Sequence, residues 1–212
     1  SSITNCIKNQ DTKTNPIWLM RQAGRYLPEF RDIRKKNQDF IKLCLNKNLS
    51  SEITLQPIKR FGFDAAIIFS DILMLPYGIG QKVQFEKNFG PKLGDLDLND
   101  LESINEDEFT KKLKPVYEAI SITSKNDLLK ERDMIGFVGA PWTILIYMIN
   151  KVSPKKKLSE NFFNDEVLIN KLLKLIEKFL KVHIKNQVDA GANIIQIFDS
   201  WAGLLDHKLL DY

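Results

Sequence analysis

Arg21 and Arg25 stand four positions apart, with Gln22, Ala23 and Gly24 between them. Two guanidinium groups so close can grip carboxylates in bidentate fashion. Gly24 lets the backbone turn and approach a ligand closely, and Gln22 adds neutral donors. The alternative is a pair of loop arginines partnered by Glu29 and Asp32. Asp71 is open to two readings. It caps a following helix, or it is a charge held among arginines that accepts N–H bonds from a ligand or stabilises a cationic intermediate. Tyr147 is a polar group one turn into a helix, or it packs there with Ile144 and Met148. Asp199 and Ser200 form a turn and helix cap, or they belong to the same polar rim. His183 and His207 have no Cys, His or acidic partner at metal-ligand spacing, so no metal is expected. No G-x-S-x-G elbow is present to support a serine hydrolase.

Short apolar runs must position these groups. Four stand out: "IWLM" (17–20), "AAIIFS" (65–70), "MIGFVG" (134–139) and "NIIQIF" (193–198). Each is continuous rather than alternating, which predicts strands covered on both faces, as in parallel sheets. Arg21, Gln22 and Arg25 follow the first run, and Ser70 and Asp71 end the second. Ala140 to Thr143, then Tyr147, follow the third, and Asp199 and Ser200 the fourth. Polar groups at the carboxyl ends of parallel strands mark the active-site end of a (β/α)8 barrel or the crevice of a doubly wound sheet. No G-x-G-x-x-G or Walker motif follows any strand to favour the latter.

Helical patterns lie between the runs. Ser50 or Ser51 is the expected cap of a helix ending at Gly62, with Pro57 kinking or shortening it. Residues 164–190 predict a long helix capped by Asn164 or Asp165 and stopped by Gly191. Val167, Leu168, Leu172, Leu175, Ile176, Phe179 and Val182 mark its apolar face. The stretch 76–99 is rich in Gly and Pro and predicts an elaborated loop or hairpin. "SPKKKLSE" (153–160) predicts a solvated loop.

The 212 residues are 43% hydrophobic and 27% charged, an ordinary globular composition. A formal charge of +4 is too mild to argue for a nucleic-acid partner. Cys6 and Cys44 form no CxxC pair, and free thiols in a reducing cytoplasm are the simplest account. The first residues lack the basic and apolar regions of a secretory signal. The most apolar stretch carries Asp64 and Asp71, against a membrane span.

"PIWLMRQAGRYLPEFRDIRKK", "AAIIFSDILMLPYGIG", "GFVGAPWTILIYMI" and "IIQIFDSWAG" occur in this order, and together they closely resemble the motifs of the uroporphyrinogen decarboxylase family. The resemblance extends from Asn15 over nearly the whole chain. It implies a (β/α)8 TIM barrel, usually a cytoplasmic homodimer, that uses neither metal nor organic cofactor. The implied reaction removes CO2 from the four acetate side chains of uroporphyrinogen III to give coproporphyrinogen III, a tetrapyrrole on the way to haem. By the same resemblance Arg21, Gln22 and Arg25 bind substrate carboxylates, with Ala23 and Gly24 in the same loop. Asp71 receives the pyrrole N–H groups and stabilises positive charge once a pyrrole carbon is protonated. Arg21 also helps deliver the proton or hold the departing carboxylate, and Tyr147 and Ser200 hydrogen-bond carboxylates.

Two departures qualify this expectation. The loop after the third-strand motif, "NKVSPKKKLSENFF", lacks the glycines common in the family. Only four strand segments precede Tyr212, against eight in a barrel of about 250 residues. Residues 1–212 are therefore expected to be the N-terminal part, about four β/α units, of a single barrel domain whose C-terminal half is missing, and to be poorly active alone. The alternatives are a cobalamin-dependent methyltransferase of the same superfamily and a non-catalytic porphyrin- or anion-binding remnant.

Overall fold

Apolar runs and helix-stopping glycines alternate along the chain, and the computed structural model, which describes residues 2–10, 15–87, 89–154, 158 and 165–205, alternates helices and strands accordingly. Helices α1 (Ser2–Asn9), α2 (Pro28–Lys36), α3 (Phe40–Cys44) and α4 (Lys47–Phe61) precede strand β1 (Ala65–Ile67). Next come α5 (Met74–Gly78), β2 (Val83–Glu86), β3 (Gly90–Leu93), α6 (Leu98–Ser103) and α7 (Glu106–Ser124). The described chain then forms β4 (Asp133–Gly139), α8 (Pro141–Asn150), α9 (Glu166–Asp189) and β5 (Ile194–Phe198).

Strands β1, β4 and β5 form one sheet in that order. β1 runs parallel to β4, with Ala65 opposite Asp133 and Ile67 opposite Ile135. β1 is buried along its length and β4 nearly so, as continuous apolar runs require. The predicted hairpin is present: β2 and β3 pair antiparallel, from Val83 opposite Leu93 to Glu86 opposite Gly90. Gly90 takes a φ of 103° there, a conformation that favours glycine. The chain leaving α8 joins this hairpin through a bridge between Lys92 and Val152.

The first expected strand does not form. Residues 17–20 belong to no sheet, and Ile17, Leu19 and Met20 are 55%, 50% and 58% exposed. Side chains compete for their backbone groups. The Ile17 N–H donates to Asp64 Oδ2 at 2.7 Å, and the Leu19 N–H donates to Gln22 Oε1 at 2.9 Å. The cap of α4 also differs from expectation. Asn46 accepts from the Leu49 N–H, while Ser50 and Ser51 lie buried inside the helix. Gly62 ends α4 in the left-handed region at φ 69°, and Pro57 is buried within it. Asp165 caps α9, its Oδ1 accepting from the Leu168 N–H; Asn164 and most of the lysine run 153–160 lie outside the described residues. Leu172, Ile176 and Phe179 are buried on α9 as expected, but Val167 is exposed.

The chain divides into two compact units. One comprises Ser1–Asp71, Leu113–Phe137 and Ile184–Gln196; the other comprises Ile72–Lys112, Val138–His183 and Ile197–Tyr212. The first packs Leu55, Ile58, Ile68, Ile120, Leu129 and Met134 together. Buried Asp133 holds α1 there, accepting from the Thr4 N–H at 2.9 Å and from the Thr4 hydroxyl. Gln187 of α9 uses both ends of its amide on one residue of β4. It accepts from the Phe137 N–H and donates to the Phe137 carbonyl, each at 3.0 Å. Gly136 leaves room for this, since a Cβ there would sit 2.5 Å from Gln187 Oε1. In the second unit Phe109 packs on Phe179 at 4.8 Å, and His183 meets Phe109 edge-on. Burial lowers the His183 pKa to about 4.

Candidate active site

Residues 20–27 make a tight turn braced from within. Gln22 is 1% exposed; its Nε2 donates to the Ala65 carbonyl at 3.0 Å while its Oε1 holds the Leu19 N–H. Gln22 thus has an inward role, tying the turn to the first residue of β1. The Leu27 N–H donates to the Gly24 carbonyl at 3.0 Å, closing the turn. Arg31 reaches back with one guanidinium nitrogen to the carbonyls of Arg25 and Tyr26, at 2.9 and 3.1 Å. Tyr26 donates its hydroxyl to the Gln22 carbonyl. Ala23 and Gly24 are half-buried in this frame.

Arg21 and Arg25 are exposed on the braced turn. Among the described residues neither guanidinium makes a hydrogen bond or ion pair. The acids that would have neutralised them are taken. Glu29 is held by Arg60 through two hydrogen bonds of 3.0 and 2.9 Å, which lower its pKa. Asp32 is held by Lys35 at 3.0 Å, and its pKa is likewise lowered. Two cations on a fixed backbone, spared by nearby carboxylates, are suited to bind an external anion.

Asp71 is half-buried and follows the carboxyl end of β1. The backbone two residues before it is clamped by hydroxyls of α4. Ser50 Oγ donates to the Phe69 carbonyl at 2.7 Å, and the Phe69 N–H donates to Thr54 Oγ1 at 2.8 Å. The Phe69 ring packs edge-on against Phe30 and Phe40. Asp71 is not the cap residue of α5, since Leu73 holds that position and gives no side-chain cap. Its charge reaches Cys44, whose thiol is pushed well above its usual range, first by burial and then by Asp71. Ser50 and Thr54 were invisible as positioning groups in the sequence, where Ser50 suits a helix cap. Arg21, Gln22, Ala23, Gly24, Arg25 and Asp71 all belong to the first unit.

Tyr147 and Ser200 belong to the second. Tyr147 is half-buried on α8, and Ser200 is exposed after β5. Thr143, fully buried in the first turn of α8, donates to Asp199 Oδ1 at 2.7 Å and accepts the Trp201 N–H at 3.0 Å. The rings of Tyr147 and Trp201 meet edge-on with centroids 6.2 Å apart. The sequence places Thr143 in the stretch that follows the third apolar run, but gives no sign of its bonds to Asp199 and Trp201. Among the described residues no group of three His, Cys, Asp or Glu side chains could hold a metal ion, and no helix is long and apolar enough to cross a membrane. His207 lies outside the described residues.

The family model described as Uroporphyrinogen decarboxylase (URO-D) matches residues 1–211. The chain belongs to the uroporphyrinogen decarboxylase family. It is 45% identical over 208 residues to the uroporphyrinogen decarboxylase of Rickettsia bellii, covering 97% of this chain and 61% of that one. Against the uroporphyrinogen decarboxylase of Campylobacter jejuni it is 44% identical over 206 residues, covering 95% and 60%. The chain thus spans about three fifths of the length of these curated relatives. A solved methyltransferase from Methanosarcina mazei shares the fold, with a TM-score of 0.72 over 94% of this chain and 58% of that one. At 17% identity that likeness concerns the fold alone. The expected fold class stands: a uroporphyrinogen decarboxylase fold of TIM-barrel type, in which three of the four expected strand segments pair in one sheet.

Proposed function

We propose that the protein to which this chain belongs removes CO2 from the four acetate side chains of uroporphyrinogen III, giving coproporphyrinogen III. The observation that carries the reading is the braced turn of Arg21 and Arg25, left without ion pairs among the described residues while Glu29 and Asp32 are held elsewhere. A substrate with eight carboxylates suits such cations. In the proposed reaction a pyrrole carbon is protonated, and the electron pair of the C–CO2 bond flows into that cationic ring as CO2 leaves. A second proton completes the methyl group, and the first leaves the ring carbon to restore the pyrrole, so one proton is consumed for each CO2 released. Asp71 receives the pyrrole N–H groups and stabilises the cation. Arg21 binds carboxylate and helps deliver the proton or hold the departing group, and Arg25 binds a further carboxylate. Gln22, with Ala23 and Gly24, keeps the turn in shape. Tyr147 and Ser200 hydrogen-bond carboxylates. Neither metal nor organic cofactor enters, and the enzyme works as a homodimer in the cytoplasm.

The test is decarboxylation of uroporphyrinogen by the full-length protein, followed as CO2 release and coproporphyrinogen formation. Asp71→Asn is expected to keep substrate affinity within about tenfold and to lower kcat by about a hundredfold or more. A variant with the wild-type rate would remove Asp71 from the chemistry. Tight binding without turnover in the wild type would favour a porphyrin-binding protein instead.

A further inference from the structure

Ser200 is exposed, yet both of its neighbours in the chain are fixed by one buried hydroxyl. Thr143 donates to the carboxylate of Asp199 at 2.7 Å and accepts from the backbone N–H of Trp201 at 3.0 Å, so its two bonds straddle Ser200. A third link joins the same places: the N–H of Ala140, the cap residue of α8, donates to the Phe198 carbonyl at 2.8 Å. One turn along α8, Tyr147 meets the Trp201 indole edge-on. The helix bearing Tyr147 and the turn bearing Ser200 are therefore registered to each other through Thr143 and Trp201. The task needs a side chain that donates and accepts at one atom while buried. Thr and Ser meet that requirement; Val, of the same shape, does not.

We propose that Thr143 is a positioning residue for substrate binding, acting through Ser200. By fixing the residues on either side, it sets the Ser200 hydroxyl in register with Tyr147 on α8, so that both can engage substrate carboxylates. The inference rests on the reading of Ser200 and Tyr147 as carboxylate ligands given above.

Steady-state kinetics of the full-length protein with uroporphyrinogen test it. Thr143→Val is expected to raise KM about tenfold with kcat within about twofold of wild type, and Thr143→Ser to restore KM. In a Ser200→Ala background, Thr143→Val should add no further KM increase, because the group it positions is gone. Asp199→Ala cuts the same link from the exposed side and should reproduce the KM rise; a wild-type KM there overturns the proposal even if Thr143→Val fails to fold. Multiplicative KM effects of Thr143→Val and Ser200→Ala also overturn it, as does a lower melting temperature at unchanged KM. A raised KM in Ser200→Ala with a silent Thr143→Val sinks the positioning role alone. A wild-type KM in Ser200→Ala removes the carboxylate-binding reading of Ser200, and this inference with it.

Discussion

Arg21 and Arg25 illustrate how a side chain's function depends on what its neighbours do. Their nearest acids in sequence, Glu29 and Asp32, are occupied by Arg60 and Lys35, so removing either arginine breaks no ion pair among the described residues. Arg21→Ala is therefore expected to leave the melting temperature unchanged while lowering kcat/KM at least about tenfold, the cost of one charge-assisted hydrogen bond. Activity titrated against salt checks the electrostatic part: the wild-type KM should rise with ionic strength, and rise less steeply in the variant. A variant with wild-type kinetics would return both arginines to the status of surface charges. The arginines and Asp71 stand out in the sequence as candidates because their spacing and place after apolar runs are local features. The inward turn of Gln22 does not, since its partner Ala65 lies 43 positions away. The link from Thr143 to Asp199 escaped for the same reason, the two being 56 positions apart.

At the scale of elements, parallel strands declare themselves where the sheet covers them. The runs around β1 and β4 were found to within a few residues because burial on both faces leaves a continuous apolar signature; β5 carries a similar run although its residues are only partly buried and Ile197 is exposed. "IWLM" carries the same signature but sits outside the sheet, its amides taken by Asp64 and Gln22. Composition records what a segment prefers to touch, not which acceptor reaches its backbone first. Gly136 is the element-level constraint no pattern announced. A Cβ there would lie 2.5 Å from Gln187 Oε1, 2.9 Å from Ile195 Cδ1 and 3.2 Å from Ala192 Cβ. Gly136→Ala is expected to destabilise the protein by about 1–3 kcal/mol through overpacking. A lowered urea midpoint at unchanged m-value would show it, and an unchanged midpoint would mean that α9 yields without cost.

For the molecule as a whole, stability should respond to pH through a group that the proposed chemistry does not use. His183 is buried against Phe109, and burial lowers its pKa from 6.5 to about 4. Between those values the unfolded chain binds a proton that the folded chain refuses. The contribution of neutral His183 is thus fully present above pH 6.5 and is lost as pH falls towards about 4. Chemical denaturation at pH 7 and 4.5 measures the loss, and His183→Gln should flatten the slope; equal slopes would show that other groups carry it. The joint between helix and sheet has its own reporter. Gln187 stands in for a neighbouring chain at Phe137, meeting both main-chain groups of one residue with a single carboxamide. The Phe137 amide proton is thereby shielded by a side chain, so its exchange with deuterium keeps time for the lifting of a helix rather than the fraying of a ladder.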